Sequence, residues 1–222
     1  MATTSKTPPV YTLNAEGAKQ VGVSSFITEK GAYVGEFVRA EAVVSEQGTH
    51  GIELSFKSDT GQTAEYLTIW TVNSEGRETY GRKVLDAIMT ALRLRSLEPA
   101  PGKVMKWNRA AGREEMTQAT LYPSLMGKKI GLLLIAEEYA KTGGDGGTGW
   151  KMVIVATFDA GTNQTPREIL EKKPAAALTE MVEALRDKPL KKRRANAGHG
   201  GGTGGGYEPG ADQEEPAGAD WF

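Results

Sequence analysis

The chain has 222 residues, 39% of them hydrophobic, and a formal net charge of −1. It contains no cysteine, which excludes disulfides, thiol catalysis and zinc sites built on thiolates and fits a cytoplasmic compartment. Met1 to Gly17 lacks the apolar stretch of a secretory signal, and the longest apolar run, Ile130 to Ala136, is too short to cross a bilayer, so no membrane association is expected.

The near-zero charge hides an asymmetry. Residues 207–222 hold Glu208, Asp212, Glu214, Glu215 and Asp220 and no lysine or arginine, which leaves 27 basic and 23 acidic side chains, a net of +4, over residues 1–206. A weakly basic body with an acidic tail points towards a nucleic-acid partner.

Residues 1–30 show little periodicity and read as an N-terminal arm able to dock on the body. Tyr33 to Val44 alternates, with Val34, Val38, Ala40, Ala42 and Val44 on one side and Tyr33, Phe37 and Arg39 on the other; period two predicts a half-buried strand. Ile52, Leu54 and Phe56 predict a second strand and Thr63 to Val72 a third, with turns between them at Gly48, Gly51 and Gly61. From Glu78 to Leu94 the period changes, and Val84, Leu85, Ile88, Met89 and Leu92 fall on one face of a helix. Ser96 to Gln118, with Pro99, Pro101, Gly102 and Gly112, reads as a long irregular connection.

A fourth strand is predicted from Lys129 to Tyr139 and a fifth from Trp150 to Asp159, around a glycine-rich loop. Thr165 to Leu170 reads as a helical turn opened by Pro166, and Ala175 to Arg186 as a helix. The expected fold is mainly β with α additions: a five-stranded oligonucleotide-binding barrel with its helix between strands three and four. The expected organisation is an arm over 1–30, a barrel domain with its C-terminal helix over 31–187, a basic and glycine-rich linker over 188–206, and an acidic tail over 207–222.

The linker holds five basic residues between Lys188 and Arg194, then seven glycines in nine positions from Gly198 to Gly206. Such a stretch buries too little apolar surface to offset its chain entropy and is expected to be a flexible coil. The tail ends in Asp220, Trp221 and Phe222. Aromatic rings at the end of an acidic coil bury nothing locally, so they read as anchors for a partner's pocket.

This tail resembles that of the single-strand-binding proteins, where a glycine-rich linker leads to an acidic tip with a final phenylalanine; Asp220 and Phe222 match, and the bacterial family's Ile-Pro pair is absent. The body, from about Lys30 to Leu185, is similar to a family of small phage replication proteins at Gly31-Ala32-Tyr33-Val34-Gly35, Gly81-Arg82-Lys83 and Phe158-Asp159-Ala160. The resemblance implies an oligonucleotide-binding fold, sequence-independent binding of single-stranded DNA, no cofactor, no enzymatic step, and a tail that recruits a polymerase, helicase or primase. Oligomeric state varies in such families, which leaves a homo-oligomer open.

Binding of single strands needs cations along the phosphates and aromatic faces under the bases. If Val34, Val38, Ile52, Leu54, Phe56, Leu67 and Ile69 point inward, alternation leaves Phe37, Arg39, Lys57, Tyr66 and Trp70 outside as a stacking platform. The alternative places Phe37 and Trp70 in the core beneath the helix. Lys103, Lys106, Trp107, Arg109 and Arg113 read as a binding flap or as a solvated loop. Lys128, Lys129, Trp150 and Lys151 flank the loop between the last two strands, a usual contact region in this fold. The glycines at 144–149 match a dinucleotide fingerprint only by composition, since a strand and not a helix follows them. His50 and His199 have no ligand-spaced neighbours. An annealing protein, a recombination nuclease and a protein-binding module are the competing readings.

Overall fold

A computed structural model describes residues 11–15, 24–108, 111–141 and 147–190; of Trp107 and Asn108 it describes the backbone alone. The chain forms β1 (Gly31–Val44), β2 (His50–Ser58), β3 (Thr63–Val72), α1 (Tyr80–Ala91), β4 (Ala100–Asn108), β5 (Arg113–Leu121), a 3-10 turn at Pro123–Leu125, β6 (Lys129–Ala140), β7 (Thr148–Phe158), α2 (Pro166–Glu171) and α3 (Leu178–Ala184). The fold is mainly β. Among the described residues no helix is long and apolar enough to cross a membrane.

All seven strands join one antiparallel sheet, in the order β3-β2-β1-β5-β4, with β6 pairing β1 and β7 pairing β6. The expected closed barrel of five strands is therefore replaced by a seven-stranded sheet. β1 is the hub. One edge pairs β2 along most of its length, while the other pairs β6 from Gly31 to Glu36 and then β5 at Glu41. β3 and β7 come close without forming a ladder.

The two extra strands come from the segment read as irregular. Ala100–Asn108 and Arg113–Leu121 pair residue for residue as a ribbon. Pro101 and Gly102, which look like loop residues in sequence, lie at its base, where Pro101 pairs Thr120 and Gly102 pairs Ala119. The sheet order places β4 at an edge, where a strand tolerates proline.

A β-bulge explains the main error in the expected face assignment. β1 pairs Phe37 with Phe56 and then Arg39 with Ser55, so Val38 is an extra residue. An extra residue flips the parity of everything on one side of it. Phe37 points inward and is fully buried, edge-on to Phe56 at 5.9 Å between ring centroids, whereas Val38 is exposed. Phe37 is thus a core residue and not part of a stacking platform.

The main core lies between the inner sheet face and α1, whose Val84, Leu85, Ile88 and Ala91 are buried as its period predicts. A second cluster packs Leu133, Ile135 and Phe158 beneath Leu178, Met181, Val182 and Leu185 of the α3 segment, with Val34 of β1 at its margin. β6 is therefore buried on both faces, which accounts for its unbroken apolar run.

α2 starts with a capping box in which Thr165 and Glu168 bond each other's backbone N–H. Glu168 is buried, which by itself raises its pKa. The backbone N–H groups of Thr165, Ala177 and Ala176 and the Thr165 hydroxyl donate to its carboxylate and bring it down to about 2, from an ordinary 4.5. A carboxyl with a depressed folded-state pKa stabilises the fold above its unfolded pKa, and that contribution is lost as pH falls towards 2. Glu168→Gln is expected to lower the urea midpoint at neutral pH. It should also flatten the midpoint's decline between about pH 5 and pH 2, where this linkage acts. Urea titrations of both proteins across that range measure both effects.

Candidate nucleic-acid interface

The outer face of β1–β3 carries the candidate site. The bulge at Val38 is matched by a second one on β3. β2 advances from Leu54 to Phe56 while β3 moves from Leu67 to Ala64, so Glu65 and Tyr66 together oppose Ser55. The two bulges flank the same residue of β2. Val38, Arg39, Glu65 and Tyr66 thus crowd onto one outward row beside Ser55.

Tyr66 has φ of +57°, a left-handed conformation that costs an L-residue roughly 1–2 kcal/mol. The residue is 67% exposed, so burial does not offset that strain. The Arg39 guanidinium lies 5.7 Å from the ring centroid, within the range of a cation–π contact. Strain of this kind concentrates at functional sites.

The ribbon forms the second wall. Lys106 pairs Glu115, six positions from the ribbon's base at Ala100 and Leu121, and Leu121 pairs Glu41 of β1. Six strand residues span about 20 Å, more than the roughly 11 Å that a lysine and a glutamate side chain cover together. Lys106 Nζ nevertheless lies 2.5 Å from Glu41 Oε1. The ribbon therefore curls back over the outer face.

Between ribbon and sheet runs an open groove of about 810 Å³. Its apolar lining includes the exposed Phe26, Val38, Tyr66 and the cross-strand pair Met105 and Met116. Its charged lining is Arg39, Lys103 and Lys106 against Glu53, Glu65 and Glu114. Arg39 Nη2 is 2.6 Å from Glu53 Oε1, and the Ser55 hydroxyl donates to Glu65. The groove is thus balanced in charge rather than basic.

The structure brings together four of the expected contact residues: Arg39, Tyr66, Lys103 and Lys106. Lys57 is exposed one row away on the same face, opposite Glu36 of β1. Lys129 pairs the other side of Glu36 and is ion-paired with Asp59, with exposed Lys128 beside it. The hydrogen bond to Asp59 raises the Lys129 pKa. Trp70 is half-buried on the outer face, its ring so close to Gly51 that a Cβ there would meet it at 2.7 Å.

Trp150 and Lys151 do not join this site. They pair with Glu138 and Glu137, beyond the point where β1 begins opposite Leu134. Trp150 is 54% exposed there, and Lys151 is 3.3 Å from Glu137. Arg113 stands near the ribbon tip, 2.9 Å from Glu115. The Trp107 side chain, Arg109, Asp220, Trp221 and Phe222 lie outside the described residues.

Sequence reasoning missed Phe26, Val38, Met105, Met116 and the carboxylates that hold the cations. Met105 and Met116 become legible only when β4 and β5 are recognised as a ribbon. Among the described residues no three histidine, aspartate or glutamate side chains form a group that could hold a metal ion. The chain matches no protein-family model, and no curated protein matches it in sequence.

Proposed function

We propose that this chain binds single-stranded DNA without sequence selection, in the groove beneath the ribbon, and serves replication, recombination or repair. The observation that carries the reading is Tyr66: an exposed ring in a strained bulge, under a guanidinium, on the wall of a groove open to solvent. An exposed aromatic face stacks any base, and Arg39 adds a cation beside it. The strand order supports the same reading. β1 lies between β2 and β6, β7 follows β6, and α1 lies between β3 and the later strands. We read this order as that of an opened oligonucleotide-binding fold, with the β4–β5 ribbon as an insertion and a gap between β3 and β7.

The balanced charge shapes the expected thermodynamics. Lys57, Lys103 and Lys128 have no ion pair among the described residues, whereas Arg39 and Lys106 are paired to carboxylates. With two or three free lysines, log K is expected to fall against log salt with a shallow slope of roughly −1.5 to −2. Anisotropy titrations of a labelled oligo-dT over a salt series test both claims. Absence of binding at low salt would remove the function, and a steep slope would remove the stacking-dominated account. The tail that ends in Asp220, Trp221 and Phe222 is the hook for replication partners such as a polymerase, helicase or primase. Its deletion is expected to leave oligo-dT binding in place at physiological salt in the same titration.

A further inference from the structure

Two carboxylates occupy the groove's best-placed cations. Glu41 is only 5% exposed beneath the ribbon. Its Oε1 lies 2.5 Å from Lys106 Nζ. Its Oε2, 3.8 Å from Arg39 Nη1, has no hydrogen-bond partner among the described residues, and neither has Arg39 Nε. Glu53 holds the other side of the guanidinium at 2.6 Å. Arg39 and Lys106 are thus positioned around Tyr66 by internal anions.

We propose that Glu41 and Glu53 set the affinity of the groove by competing with nucleic-acid phosphates for Lys106 and Arg39. The inference rests on the single-strand-binding reading above. Partly buried charge pairs are screened by salt less than exposed ones, so a phosphate must displace a local competitor. The geometry lets it do so. The Lys106 side chain is 41% exposed and can turn to a ligand, while the Glu41 side chain, at 6%, cannot follow it into solvent. A strand enters at the cost of ion pairs already made, and leaves readily because those pairs re-form. The carboxylates keep the cations ordered and limit how tightly they hold DNA.

The test measures oligo-dT binding by full-length wild type, E41Q, E53Q, K106Q and the E41Q/K106Q pair over a salt series. E41Q is expected to bind about tenfold tighter at low salt, a change of about 1.4 kcal/mol. Its salt slope should steepen by roughly 0.7 for each further phosphate that the released cation neutralises. K106Q should bind more weakly with little change in slope, because Glu41 already neutralises Lys106 in the wild type. The tighter binding of E41Q should be largely lost in the double variant, since the carboxylate acts chiefly through that lysine. If E41Q does not fold, E53Q carries the test, with tighter binding expected there too.

Wild type that fails to bind removes the single-strand-binding reading itself. Wild type that binds, with E41Q and E53Q equal to it or weaker at an unchanged slope, overturns the competition alone. Tighter binding by E41Q that persists undiminished in the double variant overturns the role given to Lys106.

Discussion

Replacement of Tyr66 by alanine is expected to weaken oligo-dT binding by roughly 5- to 150-fold, the equivalent of the 1–3 kcal/mol that one stacked base is worth. Stability should change little, because Tyr66 is 67% exposed and its ring makes a surface cation–π contact with Arg39. Tyr66→Phe keeps the aromatic face and should bind like wild type. Tyr66→Gly separates function from structure most sharply. Glycine adopts φ of +57° without the Cβ penalty, so the urea midpoint should hold or rise while binding weakens as in Tyr66→Ala. A strained residue whose removal leaves the fold intact and weakens binding is one retained for its ligand. Equal affinity of Tyr66→Ala and wild type would remove Tyr66 from the interface.

Phe37→Ala is expected to give the opposite result, with a loss of about 3–5 kcal/mol in folding stability, a large part of the 5–15 kcal/mol typical of a domain. Phe37 is fully buried against Phe56, beside the bulge that admits Val38 to the outer face. Truncation leaves a cavity in the main core. Urea unfolding measures the loss. Under conditions where the variant remains folded, its affinity for oligo-dT should match wild type, since Phe37 itself does not line the groove. Loss of binding with a change in stability below about 1 kcal/mol would return Phe37 to the contact surface, where simple alternation puts it.

The two variants sit on opposite sides of one physical distinction. Period-two alternation assigns Phe37 and Tyr66 to the same face because it assumes an uninterrupted pleat. Two bulges, in the strands on either side of β2, break that assumption at one row, where a core ring and an exposed one lie on opposite faces. The same row gathers Arg39 and Glu65, so the irregularity that defeats the face assignment also builds the candidate site. A bulge shows in sequence only as a phase slip in a short pattern. In β1 the slip is masked because valine, alanine and phenylalanine populate both phases.

The ribbon is a second case. A two-stranded arm with little burial needs no apolar alternation, and β5 is exposed or half-exposed along its whole length. Its sequence therefore carries no burial signal, and Pro101, Gly102 and Gly112 look like loop residues. Only the return of Lys106 to Glu41 reveals that this segment closes over the sheet.

Elements with a strong local period are readable from the chain alone. β3 spans Thr63–Val72, as β-branched and aromatic residues indicate, α1 buries the face that its three- and four-residue spacing marks, and Pro166 opens a helix. These features depend on neighbours within a few residues, where propensity and periodicity act. Pairing of β1 with three other strands, the two bulges around Ser55 and the carboxylates beneath the ribbon are contacts between distant segments. Register across a sheet is chosen by the packing of the whole core, and a one-residue shift changes which side chain meets solvent. Local chemistry thus decided which residues could stack or carry charge, and long-range packing decided which of them share a groove.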